Sequence, residues 1–284
     1  MRDVLRISAD GQKRSTISPT TSPKLANARS LATSAIALHP DGGLSLLVWA
    51  RWLDSNGTEQ KASQYIVTFD KDGKHQSDVE VDSPELIVFR LEVFGSGQFL
   101  LRGRRPMNLD EERLVVLSGS GQIQRDVDWP ADSSVPQHAD ETIDPDKPPL
   151  PRWLTTVEHM VRGSDGRIYA TRPGEEPGEH VVYAIGPSGV NEEALVLSGL
   201  PGEPRLTDLK ASRSRLAATY VESGSRTPRS WIAVYDLNHK VEGEPAAPLA
   251  IYGPAPGVPI AYRQEGSSDR FTFVKGGKFV TMSR

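Results

Sequence analysis

The chain has 284 residues, of which 37% are hydrophobic and 25% charged, and its 33 Lys and Arg against 37 Asp and Glu give a formal net charge of -4. Both signs are scattered along the chain, so neither a nucleic-acid stripe nor an anionic-membrane footprint is present in the sequence, and no apolar run approaches the roughly 18 residues of a membrane-spanning helix. Cysteine is absent, which removes a disulfide framework, a Cys-ligated zinc site and a thiol nucleophile together.

The N-terminal MRDVLRISADG lacks the basic and apolar regions of a secretory signal. It opens almost directly in a β-type run, which leaves room for an upstream segment and, with it, an extracytoplasmic location. From there the chain alternates short β-rich runs with Gly-bearing turns. VLRISADGQKRSTI turns at Asp10–Gly11, AIALHPDGGLSLLVW at Asp41–Gly43, IVTFDKDGKHQSDVEV at Asp72–Gly73, and RLEVFGSGQFLLRG at Gly95–Gly97. LVVLSGSGQIQRDVDW turns at Gly119–Gly121, EHMVRGSDGRIYA at Asp165–Gly166, and VVYAIGPSGVNEEALVL at Gly186–Gly189. The series ends with DLKASRSRLAATY near Arg213, WIAVYDLNHKVEG at Asn238–His239, and RFTFVKGGKFVTM at Gly276–Gly277. Asp-Gly and Gly-x-Gly supply the positive φ that tight hairpins need, and the β-branched and aromatic flanks suit a pleated surface.

Two kinds of hairpin alternate. In one an aliphatic strand leads through the turn to a polar one (outer); in the other both strands are apolar (inner). An inner hairpin followed by an outer one makes a four-stranded antiparallel meander. Outer turns recur with a minimal spacing of about 48 residues, the length of a propeller blade of four strands. The surplus falls in Pro-rich polar stretches: Pro19 to Ser30, Ala131 to Arg152 and Gly253 to Ser268. The pattern predicts an all-β single domain over 1–284, a β-propeller of five or six blades, with 131–152 as an insertion loop. The terminal half-blades would pair to close the ring and hide its sheet edges. Helix is expected only as a turn or two within Pro23 to Leu31.

GSDGRIYA followed by EHVVYAIGPSG, and HPDGGLSLLVW followed by QYIVTFDKDGK, resemble the NHL-type repeats of six-bladed β-propeller proteins. That family often carries an acidic residue after the inner strand and an Asn-Arg pair before the next, and neither occurs at Ala170–Pro173 or Gly178–Val181. The resemblance implies a fold and leaves function to the residues.

Motifs for hydrolases, zinc proteases and nucleotide-binding loops are missing from the sequence. Asp70-Lys71-Asp72-Gly73 starts like a calcium loop but lacks the later ligands, and reads as a hairpin turn. Of the six histidines, His39, His75, His138, His180 and His239 are expected in solvated positions, whereas His159 follows Glu158 at the start of an inner strand. A propeller gathers such strand starts around its channel. The same position elsewhere holds Arg90 and Glu92, Asp208, and Asp269 with Arg270. Arg90, Glu92, Glu158, His159, Asp208 and Arg270 are therefore the candidate ligand-binding residues, either as a binding surface or as ordinary polar lining.

Two functions follow. One is a non-enzymatic binding or scaffold protein for a protein, peptide or carbohydrate, with no cofactor. The other is a lactonase or sugar-acid hydrolase whose Glu158, His159 and Asp208 hold a divalent cation such as calcium and lower the pKa of its water. The acidic segment 131–152 would be a partner-binding lid or a solvated excursion, and the five tryptophans read as packing between blades.

Overall fold

The computed structural model describes residues 3–7, 14–54, 56–81, 86–106, 108–127, 159–174, 178–189, 191–198, 200, 204–222, 229–238, 245–275 and 278–283. The turns at Asp10–Gly11 and Gly276–Gly277, Glu158, His138, His239, Trp129, Trp153 and the insertion 131–152 lie outside them. The chain divides into two compact units, Met1–Val127 and Asp128–Arg284.

The first unit holds three antiparallel sheets. Sheet 1 is the pair β1 (Val4–Ile7) and β2 (Arg14–Ile17). Sheet 2 is β3 (Ser30–Leu38), β4 (Leu44–Leu53), β5 (Glu59–Phe69) and β6 (His75–Glu80), and sheet 3 is β7 (Ile87–Val93), β8 (Phe99–Arg105), β9 (Asn108–Leu117) and β10 (Ile123–Asp126). The second unit holds three more. Sheet 4 comprises β11 (Met160–Arg162), β12 (Ile168–Pro173), β13 (His180–Ile185) and β14 (Asn191–Leu197). Sheet 5 comprises β15 (Arg205–Ser212), β16 (Arg215–Val221), β17 (Ser230–Asp236) and β18 (Ala250–Ala255), and sheet 6 comprises β19 (Ala261–Glu265), β20 (Ser268–Lys275) and β21 (Lys278–Ser283). Each four-stranded meander is the blade unit of a β-propeller, as the repeat predicts.

Burial explains the composition of each strand. In sheets 2 and 4 the inner strands β4 and β13 are enclosed on both faces and read as continuous apolar runs, all six residues of β13 being buried, whereas β20 of sheet 6 alternates buried and exposed and β21 is mostly exposed. The fourth strands β10 (IQRD) and β18 contain no buried residue, whereas β14 is buried at Ala194, Leu195 and Leu197. Within the first unit, Ala35, Ala37, Leu47 and Ile66 of sheet 2 pack on Val88, Leu91, Leu101 and Val115 of sheet 3. Within the second, Val182, Ala184 and Leu195 of sheet 4 meet Leu209, Tyr220 and Tyr235 of sheet 5, whose Ile232 and Val234 in turn meet Phe271 and Phe273 of sheet 6. Each fully buried side chain of this size contributes roughly 1.5–3 kcal/mol.

The expected turns carry the expected backbone. Gly42, Gly73, Gly97, Gly121, Gly166 and Gly189 all have φ between 77° and 95°. At several, an aspartate completes the turn: Asp41 accepts from Gly43 N–H, Asp70 from Asp72 and Lys74, and Asp165 from Arg167. Asp70 is therefore a turn aspartate, and the backbone N–H of Lys74 is the first of the donors holding its carboxyl below the ordinary range.

Four expectations need correction. Gly253 to Ser268 is not an insertion, because it contains the end of β18 and all of β19. The fourth strand of sheet 5, beside β17, is β18, which begins only at Ala250. Consequently RFTFVKGGKFVTM forms the second and third strands of sheet 6, not its first two. Helix is limited, among the described residues, to one 3-10 turn at Pro19–Thr21, capped by the Ser18 side chain.

Candidate functional site

The residues nominated from sequence are spread over several strands. Arg90 and Glu92 lie on β7, the first exposed and the second half-buried. His159 precedes β11 and is tied in by its backbone, its N–H donating to Thr171 Oγ1 at 3.2 Å and its carbonyl accepting from Thr171 N–H at 3.0 Å. Asp208 on β15 is paired with Lys210 at 2.6 Å, and exposed Arg270 on β20 lies 3.5 Å from Glu265. Among the described residues, no three His, Cys, Asp or Glu side chains gather to hold a metal ion.

Solvated histidines were expected at turns, but two of them are structural. His39 Nε2 and Ser45 Oγ are 2.8 Å apart, and Ser45 Oγ continues to Thr68 Oγ1 at 2.8 Å. Ser45 is fully enclosed, so this His-Ser contact offers no nucleophile to a substrate. His75 Nε2 lies 2.7 Å from Asp78 Oδ1. His180, at the start of β13, is also buried rather than solvated.

A constellation that sequence reading misses surrounds Phe89. The β7–β8 ladder slips between Val88 and Arg90, so Phe89 is the extra residue of a β-bulge. The slip is pinned from sheet 2. Gln64, buried on β5, donates from Nε2 to the Val88 carbonyl at 2.6 Å and accepts the Val88 N–H on Oε1 at 2.8 Å. Beyond the bulge Arg90 stands directly opposite Arg102, and Arg104 follows two residues along β8 on the same face. The Cζ atoms of Arg102 and Arg104 lie 5.0 and 5.5 Å from the Phe89 ring centre, within cation–π range.

One carboxylate enters this group with full geometry. Glu112 on β9 accepts from Arg102 Nε at 2.6 Å and from Arg102 Nη2 at 2.9 Å, a bidentate pair that neutralises the most buried of the three guanidinium groups. Glu92, two residues from Arg90 on the same face, is engaged in a contact of its own. Like charges placed directly across a ladder repel, and Glu112 relieves only the Arg102 half of the Arg90–Arg102 pair. Arg104 stands directly opposite Glu112 in the β8–β9 ladder, and Arg90 shares its face with Glu92, so the group mixes three guanidinium groups with two carboxylates.

No family model and no curated protein matches the chain. Among solved structures it is similar to the PQQ-bound aldose sugar dehydrogenase of Streptomyces coelicolor, at 13% identity over 99% of this chain and 87% of that one, with a TM-score of 0.47. It is also similar to the β-propeller domain of the Trilobed protease from Pyrococcus furiosus, at 8% identity over 89% and 82% of the two chains and a TM-score of 0.43. Regucalcin, a calcium-binding protein of Agrobacterium tumefaciens, gives 11% identity over 84% and 81%, with a TM-score of 0.41. These likenesses assign no residue and no ligand to this chain.

Chemically, the Phe89 group is suited to holding rather than to reacting. A guanidinium stays protonated throughout the working pH range, so it moves no proton, but its planar fork matches a carboxylate or a related anion at two points. The sequence signal was present as FR in β7 and RGRR in β8. Only the cross-strand register shows that these basic residues meet.

Proposed function

We propose that the chain is a non-enzymatic β-propeller protein of the six-bladed, NHL-like kind, which binds a protein, peptide or carbohydrate ligand through an anionic group and needs no cofactor. The observation that carries this reading is the Phe89 group. Half-buried Arg104 lies over the Phe89 ring and exposed Arg90 follows Phe89 along β7, while the neighbouring Arg102 is already matched by Glu112. Arginine and aromatic side chains in one patch are the residue types that dominate recognition surfaces. The carboxylate with full geometry in this group, that of Glu112, is held by Arg102 at both oxygens.

The test is a binding measurement on the intact protein with anionic peptides and anionic oligosaccharides, repeated on the Arg90→Ala, Arg104→Ala double variant. Binding that weakens about tenfold or more in the double variant supports the reading, since one charge-assisted bidentate contact accounts for that much. Unchanged binding in the double variant removes it. Chelator-sensitive hydrolysis of a lactone by the wild-type protein would replace it with the metal-dependent alternative.

A further inference from the structure

We infer that the Arg90–Arg104 face takes an extended acidic peptide whose carboxylates sit two residues apart. This deepens, and rests on, the binding-module reading. The inference comes from register. Arg90 is paired with Arg102, and Arg104 lies two positions further along β8, so Arg90 and Arg104 are diagonal neighbours across one ladder. Diagonal positions on a sheet face are separated by about 7–8 Å. In an extended peptide, residues i and i+2 project to the same side at about twice the 3.2–3.4 Å rise per residue, close to the same distance. Two acidic side chains in that relation meet both guanidinium groups at once.

The surroundings favour a peptide over a highly charged polymer. Arg102 is buried and paired with Glu112, which also stands opposite Arg104, and Glu92 shares the face of Arg90, so the face offers a short mixed stretch with cationic excess rather than a long basic track. Beside them lie Ile87, opposite Arg104 in the ladder, and the Phe89 ring, both half-buried and apolar. A mixed acidic and apolar segment finds a partner for each kind of side chain there. The ring contact also keeps Arg104 from sampling solvent freely, which lowers the ordering cost of binding.

The experiment compares two labelled peptides of identical composition by fluorescence anisotropy. One alternates glutamate with a neutral residue; the other groups its glutamates side by side, so that neighbouring carboxylates project to opposite faces. The alternating peptide is expected to bind about tenfold tighter, and Arg90→Ala and Arg104→Ala are each expected to weaken it by about tenfold. Arg104→Lys should weaken it similarly, because an ammonium keeps the charge but loses the planar fork. Lys278→Ala, on β21 of the other unit, serves as the control, and thermal unfolding of every variant verifies the fold. Equal binding of the two peptides, or binding that survives both alanine variants, overturns the inference. A sulfated oligosaccharide that binds the wild type and not the double variant, with neither peptide binding, overturns the peptide and leaves the binding module standing. Absence of binding to all three probes overturns both.

Discussion

Arg215 and Asp269 stand 54 positions apart in the chain, yet Nη1 of the first donates to Oδ1 of the second at 2.9 Å. Arg215 begins β16 of sheet 5 and Asp269 lies on β20 of sheet 6, so the pair joins two stacked sheets of the second unit. The carboxylate is only 1% exposed. Tyr262 donates to the same oxygen at 2.8 Å and Tyr252 donates to Oδ2 at 2.8 Å. Removing such a carboxylate leaves a partly buried cation and two hydroxyls without their acceptor. Asp269→Ala should therefore cost about 3–5 kcal/mol of stability, and Asp269→Asn less, because one acceptor oxygen remains. Urea denaturation of the two variants measures both; an alanine variant as stable as the parent would show that the ion pair contributes nothing.

Buried tyrosines set the alkaline limit. Burial is the first cause that pushes the hydroxyls of Tyr169, Tyr220, Tyr235 and Tyr262 above their usual value near 10, and the Asp165 and Asp269 carboxylates add to it at Tyr169 and Tyr262. A group whose pKa is raised by folding contributes stability that is complete below its unfolded value and is lost above it. The melting temperature should stay level up to about pH 10 and then fall, as the unfolded chain ionises these phenols and the folded chain does not. Tyrosinate absorbance followed alongside melting checks this: ionisation of these residues should coincide with unfolding. Tyr262→Phe should shallow the decline.

Gly103 separates Arg102 from Arg104, and its place is fixed by space rather than by φ. A Cβ there would lie 2.6 Å from the Ile87 carbonyl oxygen and 2.6 Å from Leu86 Cδ1. Gly103→Ala should destabilise the protein by about 1–3 kcal/mol by forcing β7 and β8 apart. It should also weaken anionic peptides, because it shifts both arginines relative to Phe89. Denaturation and the anisotropy titration, run on the same preparation, separate the two effects.

The β15–β16 turn contains the one non-glycine residue with positive φ among those described, Arg213 at 53°. Its carbonyl accepts from Ser164 Oγ at 3.0 Å, a bond that any residue at 213 would keep. Relief of the left-handed conformation outweighs the extra freedom that glycine gives the unfolded chain, so Arg213→Gly should stabilise by about 0.5–1 kcal/mol. A melting temperature below that of the parent would contradict this.

The blades were legible because hairpin turns make local demands. Positive φ at Gly42, Gly73, Gly97, Gly121, Gly166 and Gly189 is met by residues adjacent in sequence, and even the turn near Arg213 could be placed without a glycine. The strands β18 and β19 were hidden for an equally physical reason. Pro254, Pro256 and Pro259 suggested a loop, but β18 is the last strand of its sheet, and an edge tolerates a residue that cannot donate to a ladder. The Phe89 group depended on a one-residue slip held by Gln64, some two dozen positions away. Composition carries no trace of such a slip. Arg90 could be nominated from its strand position, while Arg102 and Arg104 could not.

Every ladder among the described strands joins consecutive segments of the chain. A nascent polypeptide can thus complete one meander as soon as its last strand leaves the ribosome, without waiting for distant sequence to be made. Low separation between paired segments favours rapid closure, and within each unit a finished meander offers an apolar face on which the next can condense. Within each unit, synthesis and assembly would then proceed in the same direction.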